Sequence, residues 1–318
     1  MTSYLDFEKP VADLAAQIRE LKKLSQTGDS VNVESEIARL EAKRDEALGD
    51  IYGKLSPWQR TQVARHPDRP HFVDYRDALF TEWTELAGDR QFAEDAAILA
   101  GLARFDGEPV ALIGQEKGHD TASRVKHNFG SARPEGYRKA VRLMEMADRF
   151  GIPIVTLVDT AGAYPGVGAE ERGQAEAIAR ATQMCLRVGV PIVTVIIGEG
   201  GSGGAIAVAT GDRVFMLENA IYSVISPEGA ASILWRDAAR AKDAATAMKI
   251  TAADLLGFKI IDGIIREPTG GAHRHKDKVI AETGETIRRA LGALRDRPAD
   301  ELRAQRRQKY ISIGRTLA

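Results

Sequence analysis

Two stretches of this sequence are near copies of each other. Residues 151–158 read GIPIVTLV and residues 189–196 read GVPIVTVI, 38 residues apart. Each is a short, continuous run of apolar and β-branched residues. That composition suits a strand buried on both faces, not one alternating between core and water. A 38-residue spacing leaves room for a loop and a helix to bring the chain back, so the two blocks are expected to be parallel strands. Each block runs directly into a glycine-rich segment, DTAGAYPGVG after the first and IGEGGSGGAIA after the second. Ligands of such sheets bind beyond the carboxyl ends of the strands. The echo therefore predicts both a fold class and the place of a site.

The flanking sequence fits around that centre. Apolar residues at helical spacing over 10–24 and again over 31–48, with SQTGDS between them, predict a helical hairpin. A proline-rich stretch follows, containing Arg65-His66-Pro67-Asp68-Arg69-Pro70-His71. Its two histidines lack acidic or cysteine partners at ligand spacing, and the run reads as a surface connection, not a metal site. Two strand-like runs, 96–105 and 109–114, flank Asp106-Gly107, a hairpin signal. Residues 134–150 predict a helix with Pro134 in its first turn. Residues 170–188 read as one helix, 213–217 and 220–225 as short strands, 227 onward and 237–257 as helices, and 258–265 as a strand. A loop follows, then a helix over 276–295 and a basic helical tail. That tail reads as a solvated or subunit-contacting face. We divide the chain into an N-terminal helical extension, 1–75, a core, 76–268, and a C-terminal helical segment, 269–318.

Composition mainly excludes. A formal net charge of -1, with 28% charged residues in 318, gives no reason to expect nucleic acid binding. No run of 18 apolar residues is present, and the N-terminus lacks a basic-then-apolar leader, so a cytoplasmic protein without a membrane span is expected. The single cysteine, Cys185, rules out a disulfide framework and a cysteine zinc site within this chain. Lying in a helix-like run, it is expected to be a small buried apolar side chain.

The segment Gly198-Glu199-Gly200-Gly201-Ser202-Gly203-Gly204 holds five glycines in seven positions. Glycine costs backbone entropy, so this density needs a reason. A phosphate-binding P-loop would end in Gly-Lys-Ser/Thr, and this segment ends Gly-Gly-Ala. Gly198, Gly200 and Gly203 give G-x-G-x-x-G, but the acidic residue about 20 positions on, Glu218, has no clear ribose role. Ser202 fits a G-x-S-x-G frame, yet the only histidines after it are His273 and His275, in a polar loop. The remaining use is an oxyanion hole. Amides of Gly203 and Gly204 at the start of a helix are suited to charge developing on a thioester or ureido oxygen. The first loop, with Gly162 and Ala163, is a candidate second donor. Arg133, Arg138 and Lys139, with His119, Arg124 and Lys126 upstream, are candidates for facing a substrate anion, with a solvated basic patch around Glu135 as the alternative.

These segments carry a resemblance. RPEGYRKAVRLMEMADRF, DTAGAYPGVGAEERGQAEAIA, VIIGEGGSGGAIA and YSVISPEGAASILW, with the flanking GQEKGHD and EPTGGAHR, resemble the alpha subunit of the bacterial acetyl-CoA carboxylase carboxyltransferase over essentially the whole chain. Ala161 departs from the proline usual there, which loosens the first loop and frees an N–H. The resemblance implies an α/β crotonase-like (ClpP/crotonase) spiral of repeated strand-strand-helix units with flanking helices. It implies an alpha2-beta2 assembly with a zinc-ribbon beta subunit. It also implies transfer of the carboxyl group from carboxybiotin, on a biotin carboxyl carrier protein, to acetyl-CoA, giving malonyl-CoA for fatty acid synthesis. ATP is used by the biotin carboxylase of the larger complex, so neither ATP nor a metal is expected in this chain. Gly203 and Gly204 then serve the oxygen of biotin, with Gly200, Gly201 and Ser202 beside it. The alternatives are a stand-alone crotonase-type acyl-CoA hydratase or decarboxylase, or a non-catalytic scaffold that completes the beta subunit.

Overall fold

The computed structural model describes residues 3–25 and 31–315. Helices α1 (Lys9–Ser25) and α2 (Val31–Tyr52) pack together as the expected hairpin. Most of the SQTGDS break lies outside the described residues. Val11, Ala15, Ile18 and Leu40 are buried, while Leu14, Leu21 and Ile37 are half-covered. Helix α3 (Pro57–Ala64) starts at a Ser56 cap whose hydroxyl accepts from the Gln59 amide, and α4 (Phe72–Leu79) follows the proline-rich run.

Strand β1 (Thr81–Glu85) leads to the antiparallel hairpin β2 (Ile98–Phe105) and β3 (Glu108–Gln115). Asp106 and Gly107 both have positive φ (51° and 82°), the geometry that two-residue hairpin turns require. A short helix, α5 (Thr121–Lys126), precedes α6 (Pro134–Phe150). Helix α6 begins on Pro134, buries Tyr137, Ala140, Val141, Met144 and Ala147 against β2 and β3, and ends where Gly151 turns left-handed at φ 66°.

The two copied blocks become β4 (Ile154–Thr160) and β5 (Ile192–Gly201), neighbouring parallel strands. Their register pairs Ile154 with Ile192, Val155 with Val193 and Thr156 with Thr194, so the 38-residue repeat is itself the register. The paired threonines share a buried hydrogen bond of 2.7 Å. Between the strands, the expected single helix is two, α7 (Val167–Glu171) and α8 (Gln174–Arg187). Gly173 separates them at φ 80°.

The second glycine segment is not a loop. Gly198–Gly201 continue β5, and helix α9 (Ser202–Ala209) starts without an intervening residue. β5 pairs with β6 (Arg213–Leu217) in its first half and with β7 (Ile221–Ser223) in its last three residues. Helix α10 (Pro227–Trp235) follows. The expected helix over 237–257 is broken into a 3-10 turn, α11 (Ala241–Ala247) and α12 (Ala252–Gly257), because Lys249 is left-handed (φ 54°) and Thr251 caps α12. The expected strand over 258–265 shortens to β8 (Gly263–Ile265), since Lys259 turns the chain at φ 58°. The sheet order is β1-β2-β3-β4-β5-β6-β8, with β7 beside β5.

Helices α13 (Lys276–Leu294) and α14 (Ala299–Ser312) close the chain. The basic tail does more than face solvent. Arg306 is buried, meets Asp212 at 2.7 and 2.9 Å, and donates to the carbonyls of Cys185, Val188 and Val190 at 2.6–2.8 Å. Asp212 in turn accepts from the Ile192 amide at 2.7 Å, so α14 anchors the start of β5. Cys185 is buried. Among the described residues no helix is long and apolar enough to cross a membrane.

Candidate active site

The two glycine-rich segments meet at the carboxyl ends of β4 and β5. After β4, the Thr160 hydroxyl accepts from the Gly162 amide (3.1 Å) and donates to its carbonyl (2.9 Å), curling residues 160–162 into a tight turn with Gly162 at φ 150°. The Tyr164 amide donates to Ala132 O (3.0 Å), and Gln174 Nε2 donates to the carbonyls of Ala132 and Tyr164, which pins the turn from outside. The second segment lies directly against this turn. A Cβ on Gly201 would stand 2.1 Å from Ala161 O, and one on Gly204 would stand 2.7 Å from Ala163 N. Gly200 has Tyr222 over it, 2.8 Å from the same kind of Cβ. Gly201 and Gly204 are there because two backbones pass at van der Waals distance, Gly200 because the Tyr222 side chain does.

The strand-to-helix step is sharp. Ser202 sits at φ 50° in the first residue of α9. The first-turn amides of Ser202, Gly203 and Gly204 have no acceptor four residues back inside the helix, and the positive end of the helix dipole lies with them. Ser202, Gly203, Gly162 and Ala163 are half-exposed, whereas Gly204 is buried with its carbonyl accepting from Gln115 Nε2 at 3.0 Å. The structure thus brings Gly162, Ala163, Gly200, Gly201, Ser202, Gly203 and Gly204 into one place. The histidine a serine hydrolase would need is elsewhere: His273 stacks on His66, ring centroids 3.9 Å apart, with its Nε2 beside Arg274.

Beneath this backbone site runs a charged network that sequence reasoning missed. Lys117, just past β3, places its Nζ 2.7 Å from Asp159 Oδ1 and 2.7 Å from Glu199 Oε2. Asp159 immediately precedes the first turn, and Glu199 lies three residues before Ser202. The Glu199 amide donates to Asp159 Oδ1 at 2.9 Å. Glu199 also pairs with Arg65 (2.7 Å), which continues to Glu228 on α10 (2.6 Å). Burial opposes the Lys117 charge, but Asp159 and Glu199 outweigh it and push its pKa up to about 12. Burial likewise opposes the charges of Asp159 and Glu199, yet Lys117 holds both below the usual carboxylate range, helped by His71 at Asp159 and Arg65 at Glu199.

The run 65–71 is not the surface connection expected. His66, Arg69 and His71 are buried. Arg69 forms a two-pronged pair with Glu267 (2.8 and 3.0 Å) and donates to Ile197 O of β5 (2.9 Å). His71 Nδ1 stands 3.6 Å from Asp159 Oδ2. A charged, proline-rich run reads as solvated from sequence alone, because its carboxylate partners, Asp159, Glu199 and Glu267, lie about 90 to 200 residues away. The pairing of basic residues here with acidic residues inside glycine and strand motifs was the only available signal.

The anion candidates separate. Lys139 is buried against Glu94 and donates to Asp95 O at 2.9 Å, so it faces the core. Arg138 lies 3.6 Å from Asp89 and donates to the Arg172 carbonyl. Arg133 lies over the Tyr164 ring, 4.7 Å from its centroid, beside the first turn, and keeps its place as the candidate nearest the site. Glu135, expected to balance the basic patch, pairs with Arg172. His119 lies edge-on to His71 and 3.4 Å from Asp74. Arg124 Nε donates to Gly118 O. Among the described residues no three His, Cys, Asp or Glu side chains gather as metal ligands would.

Comparison with known proteins places this arrangement. Residues 4–314 match the family "Acetyl co-enzyme A carboxylase carboxyltransferase-like". The chain is 71% identical over 317 residues to the acetyl-coenzyme A carboxylase carboxyl transferase subunit alpha of Rhizobium meliloti (strain 1021), and 68% identical to that of Rhizobium rhizogenes (strain K84 / ATCC BAA-868), covering 100% of each chain. Among solved structures, transcarboxylase 12S with methylmalonyl-coenzyme A bound is similar in fold, with a TM-score of 0.59 at 20% identity, over 74% of this chain and 44% of that one. A Pseudomonas malonate decarboxylase hetero-tetramer in complex with coenzyme A gives a TM-score of 0.57 at 16% identity, over 71% of this chain and 92% of that one. The architecture is the crotonase/carboxyltransferase-like one.

Proposed function

We propose, because this chain belongs to the acetyl-CoA carboxylase carboxyltransferase alpha-subunit family, that its two backbone turns form the half-site at which carboxybiotin gives up its carboxyl group. The protein is an enzyme component, the carboxyltransferase alpha subunit of acetyl-CoA carboxylase, acting in fatty acid synthesis. The Gly203 and Gly204 amides would hold the ureido end of a carboxybiotin brought by a carrier protein, which would supply the carboxyl group when bound. The residues present suit such a group. The first-turn amides of Ser202, Gly203 and Gly204 point from a helix N-terminus toward developing negative charge, and the Gly162–Ala163 turn lies against them. Backbone donors in fixed positions do their work without reorganising during the reaction. Arg133, over the Tyr164 ring beside the first turn, would suit the carboxylate that is transferred.

The single observation that carries the reading is the backbone contact between the two strand ends, which brings the Ala163 amide against the first turn of α9, the Gly162 amide being engaged by Thr160. A stand-alone acyl-CoA hydratase would instead use carboxylates free to exchange protons. Asp159 and Glu199, the carboxylates that root these turns, are both tied to Lys117 and held charged.

The acetyl-CoA thioester would be held by a beta subunit carrying a zinc ribbon, in an alpha2-beta2 assembly that also meets the biotin carrier and the biotin carboxylase. Residues 76–268 carry the chemistry in this reading, framed by 1–75 and 269–318, with the strap 65–71 working as part of the core. The test is to combine this chain with a family beta subunit and measure biotin-dependent carboxyl exchange with malonyl-CoA. Transfer only in the mixture supports the reading. Acyl-CoA turnover by this chain alone without biotin would replace it with a hydratase or decarboxylase. Unchanged transfer by an assembled complex carrying Gly203→Val would replace it with a scaffold.

A further inference from the structure

We propose that Lys117 is a positioning residue for the reaction: one ammonium group that sets the register between the two donor segments by gripping the root of each. The proposal rests on the carboxyl-transfer reading of the site.

Three adjacent strands converge on this side chain. Lys117 lies two residues past β3, Asp159 is in β4 and Glu199 in β5. Its Nζ is equidistant, 2.7 Å, from a carboxylate oxygen of each neighbour. Asp159 stands three residues before Gly162, and Glu199 four residues before Gly203. A sub-ångström shift at either root is therefore passed to the donor amides through a few residues of stiff, closely packed backbone. Backbone packing fixes how closely the turns approach, since Gly201 and Gly204 touch residues 161–163. Contact alone does not fix the register of the two strand ends beyond the regular ladder of residues 154–158 with 192–196. The ladder between them is irregular at this point, with a register shift between Val158 and Thr160. The salt bridge spans that irregularity, where main-chain hydrogen bonds are least able to hold the register.

The surroundings restrict Lys117 to this role. Gly130 lies against its stem: a Cβ there would stand 3.1 Å from Lys117 Cγ and 2.7 Å from Asp159 O. On the far side Glu199 is held by Arg65, and Asp159 faces His71. The ammonium thus bridges two carboxylates that are each already held from another element. The Lys117 ammonium meets both carboxylates at one nitrogen on a flexible stem, a shared point contact that the spread nitrogens of a planar guanidinium do not reproduce.

The test uses the complete alpha–beta complex with its biotin carrier. Lys117→Arg keeps the charge and the assembly but replaces the shared point contact. We expect kcat for carboxyl transfer to fall about 3- to 10-fold, with KM for acetyl-CoA and malonyl-CoA within twofold. Lys117→Met removes the bridge, and we expect at least a 30-fold fall in kcat. Amide hydrogen exchange, read without any turnover, should quicken in segments 160–164 and 200–205 of both variants and stay unchanged in 134–150. Lys117→Arg with wild-type kcat and unchanged exchange in both turns overturns the proposal, even if Lys117→Met fails to fold. A uniform rise in exchange across the chain in both variants also overturns it, since that marks a merely structural residue. If the wild-type complex shows no biotin-dependent transfer, the functional reading fails, while the exchange measurement still decides whether Lys117 ties the turns.

Discussion

The two repeat units diverge where their copied sequences end. Over 154–158 and 192–196 they are paired residue for residue, down to threonine against threonine. After β4 the chain leaves the sheet at once in a turn held by Thr160 and Gln174. After Ile196, β5 runs on for five residues, trades β6 for β7, and enters a helix through left-handed Ser202. The difference teaches how one strand pattern yields two kinds of ending: a curled turn in one unit and a helix N-terminus in the other. Gly201 and Gly204 let the two endings lie against each other.

The largest effect should come from breaking that contact. Gly201→Ala puts a methyl 2.1 Å from Ala161 O, and Gly204→Ala puts one 2.7 Å from Ala163 N. Both neighbours are backbone and cannot swing aside, so each change should cost about 3 kcal/mol or more in urea unfolding and abolish transfer. Gly162→Ala is the contrasting case. A Cβ there meets nothing within 4 Å, but φ 150° is a glycine conformation. It should cost roughly 1–3 kcal/mol and leave the contact in place. If the three behave alike, the steric account of the contact is wrong.

The copied halves can be tested through the buried threonine pair. Thr156→Val or Thr194→Val leaves one buried hydroxyl without its partner and should cost about 1–2 kcal/mol. The double variant should cost much less than the sum of the singles, because both polar partners are gone. Simple additivity of unfolding free energies would show that the pair is not coupled.

The roots of the two units should respond to pH together. Asp159 and Glu199 are held below the usual carboxylate range, so their stabilising contribution is present above roughly pH 4, the unfolded value, and fades as pH falls through the folded values. Lys117 is raised to about 12, so its contribution is complete below roughly pH 10.4 and is lost as pH rises through about 12. Hydrogen exchange in 160–164 and 200–205 should therefore show no titrating step between pH 5 and pH 10 beyond the intrinsic rate. A step in one turn alone would separate the units.

The smallest expected effect is at Ser202. Its φ of 50° favours glycine, so Ser202→Gly should change stability by no more than about 1 kcal/mol, on the stabilising side. Carboxyl transfer should survive within a few-fold, since a backbone donor needs no hydroxyl. A thousandfold loss would restore a nucleophilic role for the serine.

Local sequence determined a good deal here. The repeat gave the two strands and their parallel sense, because a continuous β-branched run with a loop and helix between copies has few other ways to be buried; that the copies pair with each other in register was decided by the sheet. Pro134 and Gly151 marked the ends of α6, and Asp106-Gly107 marked the hairpin, because the backbone limits of proline and glycine act within a residue or two. The density of glycines at 198–204 pointed to the site. Tertiary structure decided what those glycines do: Gly198–Gly201 are strand, and the lack of a side chain at Gly198, Gly200 and Gly201 is demanded by Asp159, Tyr222 and Ala161 in turn, which no local pattern reveals. It also decided that the proline-rich run at 65–71 goes inside, that Lys139 is buried against Glu94, and that the basic tail buries Arg306. The reason is common to all three. A charged side chain is solvated unless a partner meets it, and these partners were chosen by the packing of elements far apart in the chain.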